Sequence, residues 1–139
     1  MIVTGATPAS SVPAWKKLSW VPGVFAVCRL PPQSPLPAFP KETLLYSATR
    51  TDREVSIVCE EAAAPAGAIC EYGWRALRLA GPIPFTVTGV IAAVSAPLAR
   101  ARLSMFVFST YDTDYVLVRA SDAQAAREAL ESDGFQIEP

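Results

Sequence analysis

Histidine does not occur anywhere in the 139 residues. Its absence removes the usual nucleophile–base pairs of hydrolases and transferases, and with them the commonest metal ligand. Cysteine is scarce: Cys28, Cys59 and Cys70 are odd in number and form no C-x-x-C pair. Cys28 and Cys59 lie inside apolar runs and read as small buried hydrophobes rather than a metal or redox set. An odd count, with no basic and hydrophobic leader, points to a reducing cytoplasm. Charge is thin as well. Charged residues make up 18% of the chain, against roughly 25% in ordinary domains. Lys and Arg number 12 and Asp and Glu 13, for a net of −1, which gives no electrostatic footprint for nucleic acid or an anionic membrane. No apolar run approaches the ~18 residues of a membrane span. Asp112 and Asp114 fall short of the six or more oxygens a hard cation takes, so neither a metal nor a cofactor is expected.

What is present is apolar and proline-rich. Hydrophobic residues form 51% of the chain and prolines number 13, the composition of a folded domain rather than a disordered tail. The acids concentrate late: residues 112–139 carry seven acids and two bases, so the remainder is positive by about four charges. Such an asymmetry favours docking between halves or between copies.

Along the chain, 1–17 reads as a flexible leader, small and polar with Pro8 and Pro13. A strand follows over 21–30. Five prolines within 31–40 then forbid a helix or central strand and leave an extended surface crossing, in preference to a ligand for an SH3-type domain. Two short strands over 44–49 and 54–59 flank a polar turn, and 60–73 reads as an aperiodic connector. In the 54–59 strand Glu54 and Ser56 share one face, Val55 and Ile57 the other.

From Trp74 the pattern is regular. A strand over 74–80 ends at Pro82 and Pro84. Thr88 offers a hydroxyl cap to a helix with Val90, Val94 and Leu98 on one stripe, which Pro97 should kink or hold to two regular turns. The 104–109 segment, SMFVFS, is apolar on both faces and reads as a central strand, as does 115–119. Ser121 with Gln124 spells a capping box for a helix buried through Ala123, Ala126 and Leu130 and stopped by Gly134; Phe135 and Ile137 alternate in a last edge strand. Residues 74–139 are therefore strand–helix–strand–strand–helix–strand, an α+β ferredoxin-like unit with both helices on one face. The stretch 18–73 reads as a reduced version of the same unit. Trp74 reads as an anchor at the junction of the two, Trp15 and Trp20 as caps of the sheet.

Three phrases are more specific than any periodicity: VPGVFAVCRL at 21–30, TRT followed by EVSIVC at 49–59, and above all STYDTDYVLV at 109–118. Together they resemble the small bacterial tandem ACT-domain proteins, and the last also resembles the ACT domains of the cytosolic arginine sensors of animals. The resemblance implies a βαββαβ ACT fold in two tandem units, the first reduced. It implies a regulatory role with a free amino acid bound between such units, and a homodimer. It also places Gly89, Thr110, Tyr111 and Asp114 on positions that contact ligand in related modules.

The residues themselves support a zwitterion site. A carboxylate wants unsatisfied amides, which the helix start at Thr88, Gly89 and Val90 supplies at its positive end. An ammonium wants acids and hydroxyls, which Ser109, Thr110, Tyr111, Asp112, Thr113 and Asp114 crowd into six residues. A strand antiparallel to the preceding helix returns its end to that helix start. Ser, Thr and Asp after a strand are also what a tight turn selects, so the turn reading stays open on spacing alone. The expectation is a non-catalytic amino-acid-binding regulatory sensor acting on an enzyme or transporter in trans. The alternative is a ligand-free dimerisation or protein-interaction module.

Overall fold

The computed structural model describes residues 12–139. Of the leader expected over 1–17, residues 1–11 lie outside the described residues; Ala14–Lys16 form a 3-10 turn that sets Trp15 edge-on to Phe135, 6.2 Å between centroids. Seven strands follow, β1 (Lys17–Leu30), β2 (Ser47–Arg50), β3 (Val55–Glu60), β4 (Ile69–Leu79), β5 (Met105–Ser109), β6 (Asp114–Arg119) and β7 (Gln136–Ile137). Helix α1 (Val90–Arg100) joins β4 to β5, and α2 (Ala123–Ser132) joins β6 to β7. The strands make one sheet in the order β2-β3-β1-β4-β6-β5, with β7 parallel to the start of β1.

β1 and β4 run through the whole sheet, and both are longer than the sequence implies. β1 begins at Lys17, four residues before the expected 21–30 strand, and accommodates Pro22 and Gly23 with a bulge: Val21 pairs with Ala76 and Phe25 with Trp74, so two extra β1 residues bulge out, with Gly23 at φ +108°. A second irregularity lies on β4, between the Phe25–Trp74 and Val27–Glu71 pairs, where Gly73 has φ +80°. The expected connector over 60–73 is correspondingly shorter, because Ile69–Gly73 belongs to β4 and pairs with the second half of β1. The first half of β1 pairs with β7 and the second half with β3, so β1 lies between the last strand and β4. That insertion departs from the expected self-contained second unit while keeping its ferredoxin-like order and both helices on one face.

The core forms three groups. Under the helices, Leu77, Leu79, Val94, Leu98, Val116, Val118 and Leu130 are fully buried together with Leu18, Phe135 and Ile137, each worth about 1.5–3 kcal/mol. On the opposite face Val21, Phe25, Val58, Trp74, Ala76 and Leu117 close around Leu45, which the proline-rich segment delivers onto the sheet. Arg50 ties that segment down through the carbonyls of Pro32 and Ser34. The third group, Ala26, Cys28, Val55, Ile57 and Cys59, is covered by alanines of the 61–68 segment, small residues standing where a helix would otherwise lie. Trp74 is a buried anchor, 6% exposed, with the Arg119 guanidinium 4.1 Å from its ring, whereas Trp20, expected to cap the sheet, lies within the β1–β4 ladder opposite Leu77 and under Arg75.

Three local expectations are corrected. β5 is an edge strand, paired only with β6 among the described residues, although SMFVFS reads as central. α1 runs eleven residues through Pro97; the ring is buried beside Leu98, and packing offsets the one donor lost toward Ala93. Neither helix is capped by the expected side chain. Ser121 falls inside a 3-10 turn, Ala120–Asp122, which moves the N-cap to Asp122, and Gln124 donates to Glu128 instead. The Thr88 hydroxyl makes no cap bond, because Gly89 in the left-handed region is the N-cap of α1.

Candidate functional site

The start of α1 and the β5–β6 turn meet on one rim of the sheet. Gly89 sits at φ +79°, a conformation that costs glycine little and other residues more. Its carbonyl takes the first helical bond, from Ala93 N–H at 3.0 Å. The amides of Val90, Ile91 and Ala92 precede any intrahelical partner and point out of the helix at its positive end. Val90 itself is buried, so the amide end is held by the core rather than fraying.

The opposing turn is closed by its own threonines. Thr110 N–H donates to the Thr113 carbonyl at 2.8 Å, and the Thr110 hydroxyl accepts from Thr113 N–H at 3.3 Å. Thr113 is 7% exposed, and its hydroxyl donates to the Leu79 carbonyl at 2.7 Å. Ile83 N–H donates to the Asp112 carbonyl at 2.7 Å. These last two bonds moor the turn to the chain leaving β4. At the mouth Ser109 donates its hydroxyl to one oxygen of Asp114.

Between these elements lies an open cleft of about 490 Å³, inside the roughly 300–1,000 Å³ range of small-molecule sites. Its walls are the amide end Gly89–Ala92, the turn Ser109–Asp114, and Ile83, Pro84, Phe85 and Val87 from the β4–α1 loop. Phe85 and Tyr111 meet edge-to-face at 5.1 Å across its mouth, 75% and 81% exposed. Two carboxylates and no Lys or Arg line it. The arrangement can offer amides to an anionic group, acids to a cation, and aromatic surface to an apolar stem. Among the described residues no cluster of metal-ligating side chains occurs.

Of the expected site residues, Gly89, Val90, Ser109, Thr110, Tyr111, Asp112 and Asp114 all face this cleft, whereas Thr88 does not line it. Sequence reasoning missed Ile83, Phe85 and Val87, because a stretch with two prolines reads as a linker. The available signal was positional: in a strand–helix unit, the loop before the helix shares the rim with its amide end.

A family model described as an ACT domain matches residues 69–132, and a second model, of an N-terminal domain, matches 23–66. Among curated relatives, the human cytosolic arginine sensor for mTORC1 subunit 1 is 34% identical over 59 residues, 42% of this chain. The match spans only 18% of that sensor's length. A crystal structure of a protein from Agobacterium tumefaciens is 33% identical with a TM-score of 0.80, covering 88% of this chain and 91% of that one. Aspartokinase III of E. coli, solved with aspartate and ADP, shares the fold at 12% identity and a TM-score of 0.57, covering 84% of this chain and 32% of that one. The βαββαβ order, the matched domain model and the near full-length likeness to the Agobacterium protein agree: the chain belongs to the ACT-domain proteins and is related to the cytosolic arginine sensors.

Proposed function

We propose that this protein is a non-catalytic regulatory module that binds a free amino acid in the cleft between α1 and the β5–β6 turn. The observation that carries this reading is the pairing, across one cavity, of unpaired helix amides with a turn bearing Asp112 and Asp114. The ligand carboxylate takes the Val90 and Ile91 amides, and Thr110 adds a hydroxyl. The ammonium or a cationic side chain takes Asp114, and Tyr111 covers the stem. With two acids and no base in the walls, cationic and neutral amino acids are favoured over aspartate and glutamate.

A second copy completes the module. Among the described residues β5 is paired along one edge only and carries half-buried apolar residues on both faces, whereas the opposite edge, β2, is four residues long and ends in exposed Thr49 and Arg50. An open apolar edge invites pairing, so the protein acts as a cytoplasmic homodimer that regulates an enzyme or transporter in trans. The same edge is what favours the second reading, a dimerisation module that binds no ligand.

A thermal-shift screen against the twenty amino acids separates the two. A ligand at 100 times its Kd adds about 2.7 kcal/mol, and Asp114→Ala, by removing a charge-assisted hydrogen bond of about 1.5–3 kcal/mol, weakens binding ten- to a hundredfold. No shift with any amino acid refutes the sensor reading; unchanged binding by a folded Asp114→Ala variant refutes the placement.

A further inference from the structure

Cys28 and Cys70 are 42 positions apart in sequence, yet they face each other as direct partners in the β1–β4 ladder. Cys59, opposite Ala26 on β3, lies diagonally across from Cys28 on the same face. All three thiols are free and belong to one apolar group, with Tyr46 and the 61–68 alanines around it. Their exposures differ. Cys28 and Cys59 are buried, at 2% and 0%, while Cys70 is partly open to solvent between Ile69 and Tyr72, themselves 72% and 54% exposed.

We propose that Cys28 and Cys70 form a cross-strand dithiol that a hydroperoxide converts to a disulfide, with Cys70 as the residue first oxidised. The sulfur of Cys70 attacks the outer peroxide oxygen: an S–O bond forms, the O–O bond breaks, and an alcohol or water leaves. The resulting sulfenic acid is attacked by Cys28, an S–S bond forms, the S–O bond breaks, and the hydroxyl departs as water with the Cys28 proton. Both electrons come from the two thiols and go to the peroxide. Burial, together with the neighbouring Cys70 and Cys59 sulfurs, pushes the Cys28 thiol up and keeps it protonated, which suits the resolving partner rather than the first nucleophile. Burial also pushes up the Cys59 thiol. Antiparallel partners come within the Cα separation that a disulfide spans. The pair sits at the start of β4, whereas the amino-acid cleft lies beyond its end at Leu79, so the two features are independent.

The test treats the reduced full-length chain with a few equivalents of hydrogen peroxide, then alkylates and maps peptides. Alkylatable thiols fall from three to one, a Cys28–Cys70 linked peptide appears with the loss of two hydrogens, and dithiothreitol restores the original state along with the original Tm. Cys59→Ser behaves like the parent. In Cys28→Ser, Cys70 accumulates as a sulfenic acid that a cyclic 1,3-dione traps. Three thiols remaining after treatment, a link through Cys59, or Cys28 oxidised ahead of Cys70 overturns the proposal. Peptide mapping of the parent chain decides it even if a variant fails to fold.

Discussion

Gly81 is where the fold and the candidate cleft depend on the same few ångströms. It is not a glycine for its dihedral angles, since its φ is not positive. It is a glycine for space: a Cβ there would lie 2.8 Å from the Asp112 carbonyl oxygen and 3.1 Å from Thr113 Cβ. The first contact is with backbone, so no side chain can swing away, and in Gly81→Ala the β5–β6 turn must retreat from the chain leaving β4. Two bonds cross that seam, Ile83 N–H to the Asp112 carbonyl and the Thr113 hydroxyl to the Leu79 carbonyl, each at 2.7 Å. Each contributes about 0.5–1.5 kcal/mol, and inserting one methyl into a tight contact costs about 1–3 kcal/mol. The two descriptions overlap, so the expected loss is about 2–3 kcal/mol, a Tm drop of roughly 5–15 °C. Urea denaturation measures it directly, with m unchanged if both states keep their compactness. Gly67 serves as the contrast: its φ is +80° with nothing within 4 Å of a Cβ, so Gly67→Asn should change stability by less than about 1 kcal/mol. A Gly81→Ala variant within about 0.5 kcal/mol of the parent would refute the reasoning, because the turn would then not bear on that seam.

Leu45→Ala removes the side chain that the proline-rich segment plants against Phe25, Trp74 and Leu117; it should cost about 2–4 kcal/mol and raise binding of a hydrophobic dye, and a cost under about 1 kcal/mol would mean the segment is not pinned there. Met105→Lys places a charge on the open β5 edge and should turn a concentration-dependent dimer into a monomer by light scattering, whereas a parent chain that is monomeric at high concentration would remove the premise. Burial raises the ionisations of Cys28, Cys59 and Tyr46 above their ordinary values, so the stability they protect is complete below cysteine's pH 9 and falls as the pH climbs past it, by about 1.4 kcal/mol per pH unit for each group while only its unfolded form has ionised. Chemical denaturation under reductant should show this alkaline slope, with Tyr46→Phe flattening the part above tyrosine's pH 10; constant stability across that range would contradict it.

The two helices were legible because each carries a single apolar stripe that has one place to go. Val90, Val94 and Leu98, and then Ala126 and Leu130, are buried where their spacing put them. The strands were harder, for physical reasons that differ between them. The expected strand over 21–30 runs through Pro22 and Gly23, which a bulge absorbs at the cost of a few ladder bonds, but its start at 17–20 lies outside that reading and is a strand because β4 pairs with it. Ile69–Gly73 was hidden among small residues and is a strand because β1 offers it a partner. β5 shows the limit of pattern reading most clearly. Its two apolar faces report coverage above and below, and that is correct, since helices cover one face and the group around Leu45 the other. Coverage of both faces does not require neighbours along both edges, and side chains carry no record of edge pairing.

Cysteine partnership was illegible for a related reason: only register brings Cys28 to Cys70, and register depends on the two bulges that the sequence conceals. The cleft was more accessible. Its aspartates had two competing explanations, turn formation or ligand contact, and the hydrogen bonds divide the labour between residues. Thr110 and Thr113 close the turn, Thr113 and the Asp112 carbonyl moor it, and none of these bonds uses a carboxylate. Ser109 occupies one oxygen of Asp114, which leaves the other oxygen and the whole carboxylate of Asp112 without a part in holding the turn. Turn chemistry therefore accounts for the threonines and leaves the acids over. Two carboxylates that the turn's backbone closure does not use, facing helix amides that precede any intrahelical partner, are the groups that the proposed amino-acid ligand would engage.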